Sequence, residues 1–220
     1  MTDEARRVSV TLPKGASAEV PLLIDHAAEP RAVVCLAHGA GAGMRHPFLA
    51  GLAGALATAG LTVVRFNFPY VEAGRRMPGR PADAVATWRA VVESAAGEGL
   101  PVWAAGKSYG GRMASMAAAE GGFGVAGLAY LGYPLHPPGK PERPRAEHLP
   151  AIDQPQLFVA GENDPFIQPR SQFDEVVATC RDATVEWVAD ANHSFEVKGQ
   201  RRGADVIGAR LAPLIARFVR

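Results

Sequence analysis

The 220-residue chain is long enough for one sizeable domain, and an apolar fraction of 48% suits a globular core. Lys and Arg number 23 against 22 Asp and Glu, a formal charge of +1 that argues against a nucleic-acid partner. Two cysteines are too few for a disulfide framework, and no apolar run reaches the roughly 20 residues that cross a bilayer.

The opening Met-Thr-Asp-Glu-Ala-Arg-Arg is polar and lacks the apolar centre of a signal peptide. A soluble cytoplasmic protein without a membrane partner is the expectation. Val8 to Leu12 and Glu19 to Ile24 read as an antiparallel start. Ala32 to Ala37 is a continuous apolar run, the mark of a strand covered on both faces, with Cys35 as a small buried residue. Phe48 to Ala59 has helical spacing and stops at Gly60. Leu61 to Phe66 is again β-branched and apolar. Pro81 to Ala96 opens on Pro, as helices do, and ends before Gly97. A strand from Pro101 to Ala105 leads into an Ala- and Met-rich helix, Tyr109 to Glu120. Strands follow at Gly127 to Leu131, Gln156 to Ala160 and Val185 to Ala189, with helices at Gln168 to Cys180 and Ala204 to Val219. Pro69 to Arg80 and the Pro-rich Tyr133 to Pro150 read as irregular. Such alternation predicts one α/β domain over residues 1–220, a mostly parallel sheet with helices on both faces.

One stretch, Gly106-Lys-Ser-Tyr-Gly-Gly-Arg112, admits two chemistries. A phosphate-binding loop requires a glycine five positions before Gly106, where Pro101 stands, and a flexible loop where Val-Trp-Ala-Ala reads as strand. A nucleophile elbow fits better. Its serine sits on a sharp strand-to-helix turn, and glycines two residues to either side, Gly106 and Gly110, leave room for it. Chance alone places such a five-residue match in about one chain in twelve of this composition, so the context must carry the assignment.

That context is present. The hydrolase order is nucleophile, acid, base. Asp164 follows the strand ending at Ala160, although Asp-Pro also starts ordinary turns. Glu162 precedes that turn, and Asp190 is too near His193 in sequence to face it. His193 follows the last strand and is the expected base for Ser108. His26 comes too early, His136 and His148 lie in the Pro-rich excursion, and His46 is expected to cap a helix or line the site. The oxyanion hole should take one backbone N–H from Tyr109 and one from Ala40, with Gly41 as the alternative, in His38-Gly-Ala-Gly-Ala-Gly43. A dinucleotide fingerprint there would need glycine at Met44. His38 is expected to brace this loop by hydrogen bonding.

The motifs Ala37-His-Gly-Ala-Gly-Ala42, Phe66-Asn-Phe-Pro-Tyr70, Glu72-Ala-Gly-Arg-Arg76, Gly106-Lys-Ser-Tyr-Gly-Gly-Arg112 and Leu131-Gly-Tyr-Pro134 resemble small α/β-hydrolases of the dienelactone-hydrolase-like group. Within it they are most similar to the branch of NSL complex subunit 3 and its testis-expressed relative. The likeness runs from about residue 20 to the C-terminus. It implies an α/β-hydrolase fold, with serine in place of the cysteine nucleophile of true dienelactone hydrolases. Because the branch includes complex subunits, a non-catalytic interaction module is the competing expectation.

The expected reaction is acyl transfer from a small-molecule ester to water through an acyl-enzyme, without metal or organic cofactor. A thioesterase or peptidase would use the same parts. The segment Tyr133 to Pro155 is too short for a full helical cap, which predicts an open cleft for short acyl groups. Arg75, Arg76 and Arg80 after the strand Leu61 to Phe66, Lys107 beside Ser108, and Lys140, Arg143 and Arg145 in the excursion form an expected cationic rim for a carboxylate- or phosphate-bearing substrate, with Arg75, Arg76 and Lys107 the tentative substrate-binding cations. The rival expectation pairs the loop arginines with Glu72, Glu142 and Glu147.

Overall fold

The computed structural model describes the backbone of residues 2–220 and the side chains of residues 6–97 and 99–220. Strands β1 (Thr2–Thr11) and β2 (Ser17–Asp25) form the antiparallel start. Strand β3 (Ala32–Ala37) is buried at every residue, as an unalternating apolar run requires. Helix α1 (Pro47–Thr58) follows and turns into β4 (Leu61–Phe66) at Gly60. The Pro69 loop, expected to be irregular, contains a short helix, α2 (Pro69–Glu72), because Pro69 supplies a ready-made first helical residue. Then come α3 (Pro81–Ala95), β5 (Val102–Lys107), α4 (Tyr109–Ala119) and β6 (Leu128–Leu131). After the Pro-rich excursion stand β7 (Gln156–Gly161), α5 (Arg170–Ala178), β8 (Ala183–Val188) and α6 (Ala204–Phe218).

The eight strands make one sheet in the order β1-β2-β4-β3-β5-β6-β7-β8. From β4 to β8 every pairing is parallel, and β1 and β2 extend the sheet antiparallel. Helices cover both faces. Leu49, Leu52 and Leu56 of α1 join Leu211 and Ile215 of α6 over one face. Trp88 of α3, Met113 of α4 and Phe173 of α5 pack on the other. The α1–α6 crossing is close enough that a methyl group on Gly51 would overlap the Asp205 carbonyl, and one on Gly208 the Phe48 carbonyl.

This topology creates the place for a site. The chain leaves β3 toward β4 on one side, then returns to β5 on the other. Loops from the carboxyl ends of β3 and β5 therefore diverge and open a crevice between them. Ala37 pairs with Gly106, so the ends of these strands stand side by side. The 132–155 excursion between β6 and β7 holds no α-helix, only a single 3-10 turn at Leu149–Ala151. It folds beside the crevice and does not build a helical cap. No helix among the described residues is long and apolar enough to cross a membrane.

Candidate active site

Strand β5 delivers Ser108 to the crevice through a turn that ordinary residues avoid. Ser108 has φ 49° and ψ −114°, outside the regions open to most L-residues, at a cost of about 1–3 kcal/mol. The neighbouring glycines make the turn possible. A methyl group on Gly106 would overlap the backbone of Gly110 and Gly111, and one on Gly110 would lie 2.6 Å from the His38 carbonyl oxygen. Ser108 is then the N-cap of α4, whose first free N–H groups point toward it.

The three side chains singled out in the sequence meet here. His193 Nε2 lies 2.9 Å from Ser108 Oγ, and His193 Nδ1 lies 2.7 Å from Asp164 Oδ2. An ionised carboxylate only accepts, so the ring proton belongs on Nδ1, and Nε2 presents its lone pair to the serine hydroxyl. Asp164 is fully buried, and its second oxygen accepts the Phe166 N–H at 2.8 Å. The topology explains the meeting. β7 and β8 are neighbours, so the loops bearing Asp164 and His193 leave adjacent strand ends. The histidine loop then crosses the end of β6 to reach β5. A methyl group on Gly132, just past β6, would come within 3.3 Å of His193 Nδ1. The Phe166 ring stacks on the imidazole at 4.1 Å between centroids. Of the other acids near this edge, Glu162 is engaged elsewhere: its Oε2 accepts the Asp190 N–H at 3.2 Å.

The β3 loop faces Ser108 across the crevice. Gly39, Ala40, Ser108 and Tyr109 all line the same cavity. Gly41 has positive φ and is absent from that lining. The loop is braced from beneath. His38, fully buried, donates from Nδ1 to the Gly39 carbonyl at 2.8 Å and accepts the Phe68 N–H on Nε2 at 3.2 Å. Burial lowers its pKa to about 4, so the ring stays neutral in this bracing role. Asn67 Oδ1 accepts the Met44 N–H at 2.7 Å, and buried Arg65 joins Asp25 to the Met44 carbonyl. The Phe66-Asn-Phe motif after β4 is thus the clamp on the β3 loop. His46 caps α1 through its Nδ1 and also lines the cavity.

Lys107 is the one of the three proposed cations that the structure brings to the cleft. Its ammonium donates to the His193 carbonyl at 2.8 Å and so holds the base loop. Burial lowers its pKa to about 8. Arg75 and Arg76 stand apart from it: both are exposed, and neither lines the cavity. The α2 turn reverses the loop, the Arg75 N–H closes on the Tyr70 carbonyl, and Met77 and Pro78 reach the cleft instead. Among the described residues neither arginine pairs with Glu72, whose Oε1 accepts from Asn67 Nδ2. Sequence reasoning did not single out Arg112 or Phe166, which line the cavity with Arg145. For Arg112 a signal existed: it lies one helical turn past Ser108.

The electrostatics set a pH dependence. Burial pulls the His193 pKa below its ordinary 6.5, Lys107 pushes the same way, and Asp164 opposes both. A base must be neutral to accept a proton, so an activity that used His193 as its base is expected to fall as pH drops through this pKa. The acid limb of kcat/KM is expected below pH 6.5. Lys107→Met removes a cation that disfavours imidazolium, so the limb should move to higher pH. A pH–rate profile of both proteins checks this; a limb that moved to lower pH would contradict it.

A strained serine at a strand-to-helix turn, carrying a hydrogen-bonded His and Asp at the carboxyl edge of a mainly parallel sheet, defines the α/β-hydrolase class. The chain belongs to the alpha/beta hydrolase domain family, whose model matches residues 30–219. Solved structures agree on the fold. A dienelactone hydrolase from Anabaena variabilis superposes with a TM-score of 0.70 at 20% identity, covering 98% of this chain and 96% of its own. An α/β serine hydrolase without a lid from Xanthomonas campestris gives 0.71 at 22%, covering 98% and 95%. An α/β serine hydrolase homologue from Coxiella burnetii gives 0.69 at 22%, covering 98% and 97%.

Proposed function

We propose that this α/β hydrolase is a serine carboxylesterase acting on small, short-acyl esters. The observation that carries the proposal is the unbroken chain Ser108–His193–Asp164, at 2.9 and 2.7 Å. In this mechanism His193 takes the Ser108 proton as Oγ attacks the ester carbonyl, and Asp164 steadies the imidazolium. The N–H groups of Tyr109 and Ala40 receive the developing oxyanion, with Gly41 as the alternative to Ala40. Collapse expels the alcohol, which takes its proton from His193 and leaves an acyl-enzyme. His193 then activates water to release the acid. These residues supply all the proton transfers that hydrolysis needs. The quoted motifs also support membership of the NSL complex subunit 3-like branch; dienelactone hydrolysis is not carried over, because Ser108 replaces the cysteine.

The short-acyl preference rests on shape. The cleft measures about 660 Å³, within the usual range for small-molecule sites, and no helical cap extends it. Phe48, Leu49 and Ile207 give it an apolar floor. A p-nitrophenyl ester panel is expected to peak at acetyl to butyryl chains, with palmitoyl esters turned over at least about tenfold more slowly, since extra methylenes find no apolar wall. Highest kcat/KM on the palmitoyl ester would overturn the short-acyl reading.

A further inference from the structure

We propose that Arg112 and Arg145 form an anion-binding subsite beside Ser108, suited to an ester that carries an ionised carboxylate a few bonds from its scissile carbonyl. The inference rests on the esterase reading and adds the substrate class to it. Arg112 stands in the first turn of α4, and its N–H donates to the Ser108 carbonyl at 3.1 Å. Its side chain lines the cleft, and its Nε is shielded from solvent with no hydrogen-bond partner. A buried donor left unpaired in this way is costly. Arg145 comes from the Pro-rich excursion. Its N–H donates to the Leu135 carbonyl at 2.8 Å, and its carbonyl accepts the Tyr133 hydroxyl at 2.9 Å. The backbone is therefore fixed while the guanidinium lines the same cleft.

Arginines that serve the fold have visible partners here. Arg65 holds Asp25, Arg80 holds Asp83 and Arg217 holds Glu186, each at 2.8 Å. Among the described residues, no carboxylate pairs with Arg112 or Arg145. Glu196 is the acid on the cleft wall, and it accepts from Asn192 at 3.1 Å. Burial, and then the neighbouring Arg112 and Arg143, lower the Arg145 pKa, so like charges crowd this corner. Two guanidinium forks with free donors match the planar, two-oxygen geometry of a carboxylate. An arriving carboxylate would relieve their repulsion.

The test compares esters that differ by one ionised acid. The first pair, mono-p-nitrophenyl adipate and p-nitrophenyl hexanoate, puts the acid on the acyl side. The second, 4-acetoxybenzoate and its methyl ester, puts it on the leaving group. In one pair or the other the anionic ester is expected to have the higher kcat/KM, by about tenfold or more at low salt, with the ratio falling as salt rises. Arg145→Gln, at an exposed position, and Arg112→Gln should each collapse that ratio, whereas Arg145→Lys should keep part of it. Calorimetry on Ser108→Ala provides a readout free of turnover, in which monomethyl adipate should bind more tightly than methyl hexanoate. No anionic preference in either ester pair, or a preference that survives the double replacement, overturns the subsite. If no ester is turned over at all, the esterase reading fails, and the calorimetric comparison alone decides the subsite.

Discussion

Ser108→Ala is expected to abolish ester hydrolysis, lowering kcat on p-nitrophenyl acetate by about a millionfold, to the background left by the oxyanion donors. The hydroxyl is the atom that becomes bonded to the acyl group, and no neighbouring side chain can take its place. Both cysteines are poor substitutes: Cys35 is buried in the sheet with its thiol pKa pushed up to about 12, and Cys180 lies beyond α5, away from the cleft lining. The protein itself should fold at least as well without the hydroxyl, since alanine removes a single polar atom. Thermal unfolding alongside the assay separates lost chemistry from lost structure. Hydrolysis within tenfold of the wild type would remove Ser108 from the mechanism.

Asp164→Asn is expected to lower kcat by about 10⁴-fold with little change in KM. The effect comes from one proton. The aspartate accepts from His193 Nδ1 and so leaves the lone pair on Nε2, 2.9 Å from Ser108 Oγ. An amide NH₂ in that place donates, which turns Nδ1 into the acceptor and puts the proton on Nε2, where the base is needed. Asparagine still offers an oxygen to the Phe166 N–H, so the turn survives. A drop smaller than tenfold would mean that Asp164 does not orient the base.

Much of the fold was legible because burial on both faces leaves a plain trace. Ala32 to Ala37 is an unbroken apolar run, Leu61 to Phe66 is apolar except for Thr62 and Arg65, and both strands have those bounds. Prolines and glycines marked the starts of α1 and α3 and the elbow. The Ser–Asp–His order could be read for a similar reason: each residue follows a strand, and parallel strands place their ends on one edge. Contacts between loops left no such trace. Phe166 stacks on His193 from 27 positions away, and Gly132 passes beneath the same ring, yet neither belongs to a periodic pattern. Arg75 and Arg76 lie outside the cleft lining for a related reason. Sequence tells which strand end a loop leaves, but the α2 turn decides where its side chains point. The role of Lys107 also changed: beside the nucleophile it reads as a ligand cation, whereas its ammonium is engaged by the His193 carbonyl.

The bracing under the β3 loop links fold to chemistry. His38, Asn67 and Arg65 come from two adjacent strands and hold the backbone that faces Ser108. Donors fixed before the reaction need no reorganisation when charge develops, which is where electrostatic catalysis gains most. A non-catalytic module would have no use for a strained serine held against a histidine.

The central claim is that Ser108 is an activated nucleophile, and covalent trapping tests it most directly. The full chain is treated with a fluorophosphonate at neutral pH, and the modified peptide is mapped by mass spectrometry. One label per chain on Ser108, slowed strongly in His193→Ala, is the result predicted. An unlabelled Ser108 in folded protein, or labelling as fast without His193 as with it, would contradict the account.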